Sequence, residues 1–153
     1  MSMYFIGIDI SKYKHDCCII SAANQKVVSK VIIKNNKAGF NELLTIIHSL
    51  ANPADIRIGF ESTAHYALNL ELFLENSLLT FMEVNPVLIS EYKKSKTLRR
   101  TKTDSVDCES IARWLMTVEY KPHSKGFYHS YSLKSLTRLR DRLIRQRSFY
   151  LVK

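Results

Sequence analysis

Tyr4-Phe5-Ile6-Gly7-Ile8-Asp9-Ile10-Ser11 is an apolar run that carries one carboxylate near its end. A run this short, and this rich in Ile and Phe, reads as a buried central strand. An ionised carboxylate inside such a strand is costly unless a partner charge or a cation meets it. What the chain does therefore turns on whether its fold carries other acids to Asp9.

Working outward, Lys14 to Ser21 reads as a second strand, Ala23-Asn24-Gln25 as a tight turn, and Lys26 to Lys34 as a third strand rich in β-branched residues. Three strands with short links predict an antiparallel meander. The period then changes. Phe40, Leu43, Leu44, Ile47 and Leu50 recur at helical spacing, which predicts a helix over Lys37 to Ala51. Ile56 to Glu61 is a fourth strand, again with a carboxylate at its end. Ser62 or Thr63 is the expected cap of a helix running to about Glu75. Leu79 to Val84 is a fifth strand, and Asn85-Pro86 opens a short helix to about Tyr92. Thr103 caps a helix from Asp104 to about Val118. Residues 121–131 contain Pro122, Gly126 and several aromatics and read as a linker. From Ser132 a last helix begins, in which Leu136, Leu139, Leu143, Gln146 and Tyr150 form a short heptad seam. The expected organisation is a catalytic domain over 1–120, the linker, and over 132–153 the truncated start of a coiled-coil-like helix in a longer protein. The order β-β-β-α-β-α-β-α implies an α/β fold, a mixed sheet with helices on its faces.

In such an order the first and fourth strands can lie side by side, and a helix can cross their ends. Asp104 and Asp107 stand three apart and share a helix face. Asp9, Glu61, Asp104 and Asp107 would then converge. Four carboxylates do not stay ionised together without cations, and the hard divalent ion that suits oxygen donors is Mg2+, or Mn2+ in its place. Two such ions about 4 Å apart can clamp the attacking and leaving oxygens of a phosphodiester, with Asp9 as the expected bridging ligand. Each acid also has a plainer reading. Asp9 can pair with Lys12, Glu61 can be solvated, and the helical pair can simply complement the helix dipole. The coincidence of all four in this strand order favours the metal site.

The net charge of +9 and the pI of about 9.5 favour an anionic partner. The charge is concentrated. Lys93, Lys94, Lys96, Arg99, Arg100 and Lys102 fall in one acid-free segment that reads as a loop just before Asp104, and Arg138 and Arg142 belong to the basic tail. With Lys12, these residues other than Lys93 are the expected nucleic-acid contacts. Phe127, Tyr128, Tyr131 and Trp114 are able to stack on bases, though packing is their more ordinary role. Cys17, Cys18 and Cys108 form neither a disulfide framework nor a zinc spacing and are expected to be buried free thiols. The five histidines show no ligand spacing. No apolar run approaches the length of a membrane span, and no secretory signal is evident.

The segments Gly7-Ile8-Asp9-Ile10-Ser11-Lys12, Phe60-Glu61-Ser62-Thr63-Ala64-His65-Tyr66, Asn85-Pro86 and Lys102-Thr103-Asp104-Ser105-Val106-Asp107 resemble, in that order, the DEDD transposases of the insertion-sequence one-ten family. Ala64 stands where that family commonly has glycine, and Cys108 where alanine is common. The resemblance implies a RuvC-like, ribonuclease-H-type fold with a five-stranded mixed sheet. It places the first D at Asp9, the E at Glu61 and the last two at Asp104 and Asp107. It implies a prokaryotic transposase or recombinase acting on DNA in the cytoplasm, followed by a coiled-coil helix that supports a homo-oligomer. It further implies a C-terminal serine domain that completes the reaction, and a structured guide RNA in some members. Three other readings compete: a RuvC-like Holliday-junction endonuclease, a nucleic-acid-binding module without catalysis, and an actin-like kinase. The last is disfavoured by the scarcity of glycine, which is limited to Gly7, Gly39, Gly59 and Gly126.

Overall fold

The computed structural model describes residues 3–61, 66–96, 104–123 and 136–144. The chain divides into two compact units, Met1–Pro122 and His123–Lys153. The first contains β1 (Tyr4–Ile10), β2 (Lys14–Ser21), β3 (Val27–Lys34), α1 (Lys37–Leu50), a 3-10 turn (Pro53–Asp55), β4 (Ile56–Glu61), α2 (Leu68–Asn76), β5 (Phe81–Val84), α3 (Pro86–Lys96) and α4 (Asp104–Leu115).

The strands form one sheet in the order β3-β2-β1-β4-β5. β1, β2 and β3 make the expected antiparallel meander, while β4 runs parallel to β1, and β5 parallel to β4. Local chemistry sets the turns. The β1–β2 hairpin closes with Ser11 N–H donating to Lys14 O at 3.2 Å and to His15 Nδ1 at 3.3 Å. His15 is buried and stacks on Phe40, and burial lowers its pKa so that the ring stays neutral. At the β2–β3 turn Gln25 takes a left-handed φ of 56° and donates to Ser21 O at 2.9 Å. Asn36 caps α1, its side chain accepting from Gly39 N–H at 3.0 Å.

Side chains alternate across the strands, so the sheet has two buried faces. On one, Phe5, Val84, Ile111, Trp114 and Leu115 cluster with Ile89 of α3, and Cys18, Ile20, Cys108 and Ala112 pack beside them. This is the α4 face. The other is lined by Ile6, Ile8, Ile58 and Phe60 and by the buried residues Phe40, Leu43 and Ile47 of α1 and Leu70 and Leu74 of α2. β1 is central and buried on both sides, as its apolar run implies.

Two glycines let α4 settle on the sheet. Gly7 and Gly59 are register partners on β1 and β4. A Cβ at Gly7 would coincide with Cys108 O and Ala112 N of the α4 backbone. A Cβ at Gly59 would lie 2.7 Å from Leu115 Cδ1, the end of a side chain. Tyr120 locks onto the middle of β4. Its hydroxyl accepts from Ile58 N–H at 3.3 Å and donates to Ile58 O at 3.1 Å, and the Arg57 guanidinium lies 4.9 Å over its ring.

Some expected boundaries move. α3 continues to Lys96, so Lys93, Lys94 and Lys96 are helical and not part of a loop. Ile89 is the fully buried anchor of that helix, too little for a readable apolar period. α2 starts at Leu68, where Ala67 offers no side-chain cap, and residues 62–65, including the expected caps Ser62 and Thr63, lie outside the described residues. β5 starts at Phe81 because Leu78 takes φ 57° and Leu79 N–H still bonds Leu74 O. α4 ends at Leu115 because Met116 N–H and the Thr117 hydroxyl bond back three residues, which tightens the last turn. The three cysteines are buried and free. In the second unit residues 136–144 are helical and expose Leu136, Leu139, Leu143 and Ile144. Gln146 and Tyr150 lie outside the described residues, as do Phe127, Tyr128 and Tyr131. No helix among the described residues is long and apolar enough to cross a membrane.

Gly7→Ala is expected to destabilise the protein by about 1–3 kcal/mol or more, because α4 backbone cannot yield as a side chain can. Gly59→Ala should cost less, since Leu115 is free to change rotamer. Urea denaturation of the two variants tests that order, and equal midpoints would contradict the close seating of α4.

Candidate active site

Of the four acids singled out in the sequence, Asp9 and Glu61 sit at one end of the sheet on the α4 face, and Asp107 is carried by α4 itself. Asp9 is the penultimate residue of β1 and half-buried. Glu61 ends β4. Since Ile8 pairs with Phe60 in parallel register, Asp9 and Glu61 follow on neighbouring strands. Gly7 and Gly59, two residues back, both face α4, so alternation turns Asp9 and Glu61 to the same side. On α4, Asp107 lies one turn before Ile111, toward the strand ends.

The electrostatics bear the neighbourhood out. Burial holds the Glu61 carboxyl above the usual range, the Lys93 ammonium pulls it back, and the Asp107 charge pushes it up again. Glu61 and Asp107 therefore act on each other. Lys93 Nζ donates to Asp107 Oδ1 at 2.6 Å, with both side chains about three-quarters buried. Asp104 opens α4, three residues ahead of Asp107, and its side chain lies outside the described residues. Among the described residues no three His, Cys, Asp or Glu side chains are already grouped to hold a metal ion. The donors available to a cation at this end of the sheet are carboxylate oxygens, which suit a hard divalent ion.

Two neighbours escaped the sequence reading. Asp16 on β2 is the register partner of Asp9, is nearly buried, and pairs with Lys14 at 3.6 Å. Counting residues across the short β1–β2 hairpin would have found it, because Ile10 opposite His15 places Asp9 opposite Asp16. Lys93 lay within a segment read as a loop. Its spacing of four from Ile89, the buried residue of α3, is the signal that it turns inward. Glu109, by contrast, serves the fold. It accepts from Lys30 of β3 at 2.7 Å and from Arg113 at 2.8 Å, which holds its carboxyl below the usual range.

Among the expected nucleic-acid contacts, Lys12 is exposed in the β1–β2 turn with Nζ 4.9 Å over the Tyr13 ring, and Lys94 is exposed on α3. Lys96 ends that helix. Arg99, Arg100 and Lys102 lie outside the described residues. Arg138 and Arg142 are exposed one turn apart on the helix of the second unit. Trp114 is buried in the core and is not free to stack on a base.

A family model for transposases, of the DEDD insertion-sequence one-ten type, matches residues 6–150. The chain belongs to this transposase family. Its curated relatives include the pilin gene-inverting proteins of Moraxella bovis and Moraxella lacunata, each 33% identical over 115 residues, or 74% of this chain and 34% of theirs. The transposase chain thus spans about a third of the length of these relatives. Among solved structures it is similar to Thermus thermophilus RuvC, both alone (TM-score 0.55, 11% identity, 79% of this chain and 100% of that one) and in complex with a Holliday junction substrate (TM-score 0.54, 11% identity, 79% and 99%). At this identity the likeness is one of fold: the chain has a RuvC-like fold.

Glu61→Gln is expected to stabilise the metal-free transposase chain modestly. A carboxyl whose folded pKa is raised above 4.5 is penalised when ionised, so the gain over wild type should be absent at pH 4, grow as pH rises, and level off above the folded pKa. Thermal unfolding in chelator from pH 4 to 8 measures this. A variant less stable than wild type at pH 8 would contradict it.

Proposed function

We propose that the chain is the N-terminal catalytic domain of a DNA transposase or recombinase that cuts or transfers phosphodiesters at Asp9, Glu61, Asp104 and Asp107. The observation that carries this reading is the adjacency of Asp9 and Glu61 on parallel strands, with Asp107 acting electrostatically on Glu61. Family membership supports it, as does the name of the Moraxella relatives, since inverting a gene requires DNA to be cut and rejoined.

The acids fit Mg2+ or Mn2+. Their donors are all hard oxygens, and the site gathers negative charge that an ordinary fold would avoid. When bound, two such ions would supply Lewis-acid activation of the phosphodiester and an activated oxygen nucleophile. The chain's own part is to orient. β1 and β4 fix Asp9 and Glu61, α4 carries Asp104 and Asp107 to them, and Lys12, Lys94, Lys96, Arg99, Arg100 and Lys102 grip the phosphates alongside. Arg138 and Arg142 contact nucleic acid from the helix of the second unit, whose Leu136, Leu139 and Leu143 seam pairs with a second copy in a homo-oligomer. The catalytic unit is residues 1–120, joined through 121–131 to the helix that begins at 132. A C-terminal serine domain completes recombination, and a structured guide RNA, used by some members of the family, is a candidate partner. The setting is the prokaryotic cytoplasm. A Holliday-junction endonuclease is the second reading, favoured by the junction-bound RuvC of the same fold.

Asp9→Asn should weaken Mn2+ binding at least tenfold in calorimetry and leave the circular dichroism unchanged. Unaltered Mn2+ affinity would remove Asp9 from the site. Replacing Arg99 and Arg100 with Ala should lower the slope of log K for duplex DNA against log salt by about 2, from two lost phosphate contacts. An unchanged slope would take both residues out of the interface.

A further inference from the structure

We propose that Lys93 is the resident counter-ion of the acidic site, a positioning residue that holds Asp107 in place before a divalent cation arrives and that the cation must displace. The inference rests on the metal-site reading and adds to it a residue that neither the family match nor the four acids would single out.

Three observations lead to it. The first is the contact itself, Nζ to Asp107 Oδ1 at 2.6 Å, short for an ammonium and a carboxylate. The second is reach. The Lys93 charge also acts on Glu61, so one ammonium serves acids on both α4 and β4. The third is mounting. Ile89, one turn before Lys93, is fully buried against Ile111, Trp114 and Leu115, the same α4 surface that follows Asp107. The backbone that carries Lys93 is therefore fixed relative to the acids, while its four-carbon stem remains free to swing the charged end.

Other cations of this unit are engaged elsewhere. Lys30 and Arg113 hold Glu109, and Lys14 holds Asp16. Lys93, by contrast, is set on a proposed ligand. An ammonium has the charge and the hydrogen-bond donors to quiet two carboxylates, but it is monovalent and leaves easily. A divalent ion coordinated by Asp107 at about 2.1 Å would face the Lys93 ammonium, 2.6 Å from Oδ1, across a partly desolvated gap, so the two cations compete for the carboxylate. Filling the site and freeing Lys93 are then one event, which also keeps the acids from lying bare in the ion-free protein.

The test is Mn2+ titration of wild type and of Lys93→Met and Lys93→Gln by calorimetry, with unfolding in chelator measured in parallel. Both neutral variants should bind Mn2+ about tenfold more tightly than wild type while melting at a lower temperature without metal. Lys93→Arg, which keeps a charge there, should stay near the wild-type affinity. A purely structural lysine would not tighten metal binding when removed. If wild type binds Mn2+ and the neutral variants bind it equally or more weakly, the counter-ion role is overturned and the metal site stands. If none of the four proteins binds Mn2+, the metal site falls and this inference with it. Circular dichroism of two neutral replacements separates misfolding from loss of the charge.

Discussion

The close seating of α4 on β1 is the constraint on which the site depends. The helix backbone occupies the space that a Cβ of Gly7 would fill, and Leu115 covers Gly59 on the neighbouring strand. Only a strand pair bare of side chains at that level admits a helix so near. Two residues farther along the same strands, alternation returns side chains to the α4 face, and they are Asp9 and Glu61. One turn before Ile111, α4 brings Asp107. The glycines and the acids are thus one device: the first lower the helix onto the sheet, and the second occupy the end where it arrives.

This geometry works against stability. Asp9 faces Asp16 across the hairpin, Glu61 is partly desolvated, and Asp107 adds a further charge. Like charges opposite one another in a sheet are unfavourable. The fold offsets part of this with Lys14 on Asp16 and Lys93 on Asp107. A protein under no functional demand would bury apolar residues there, as it does a few ångströms away around Ile111 and Trp114. Concentrated unfavourable charge at one end of a well-packed sheet is what the proposed metal site requires.

Most of the architecture was legible in the sequence because its period changes sharply. β-branched runs give way to the 3–4 spacing of α1, and each later strand is short, apolar and bounded. The β-β-β-α-β order allowed β1 and β4 to lie side by side, which is the arrangement that sets Asp9 and Glu61 on neighbouring strands. What stayed hidden has specific reasons. α3 shows little apolar period, since Ile89 is the fully buried residue among its described ones, so its last turn reads as part of a basic loop and the inward turn of Lys93 is hidden. Asp16 stays hidden because it stands beside the buried Cys17 and Cys18 in β2 and belongs to no motif of its own. α2 begins late because Ala67 supplies no cap, which propensity alone does not reveal.

Tyr120 sets a further condition. By bonding both the N–H and the C=O of Ile58, it pins the chain's exit to the middle of β4, about 10 Å below Glu61 at the rise of a strand. Whatever follows residue 120 is moored to the same strand that carries an acid of the site. The exit of the chain from the first unit and the acid at the end of β4 thus share one strand as their anchor.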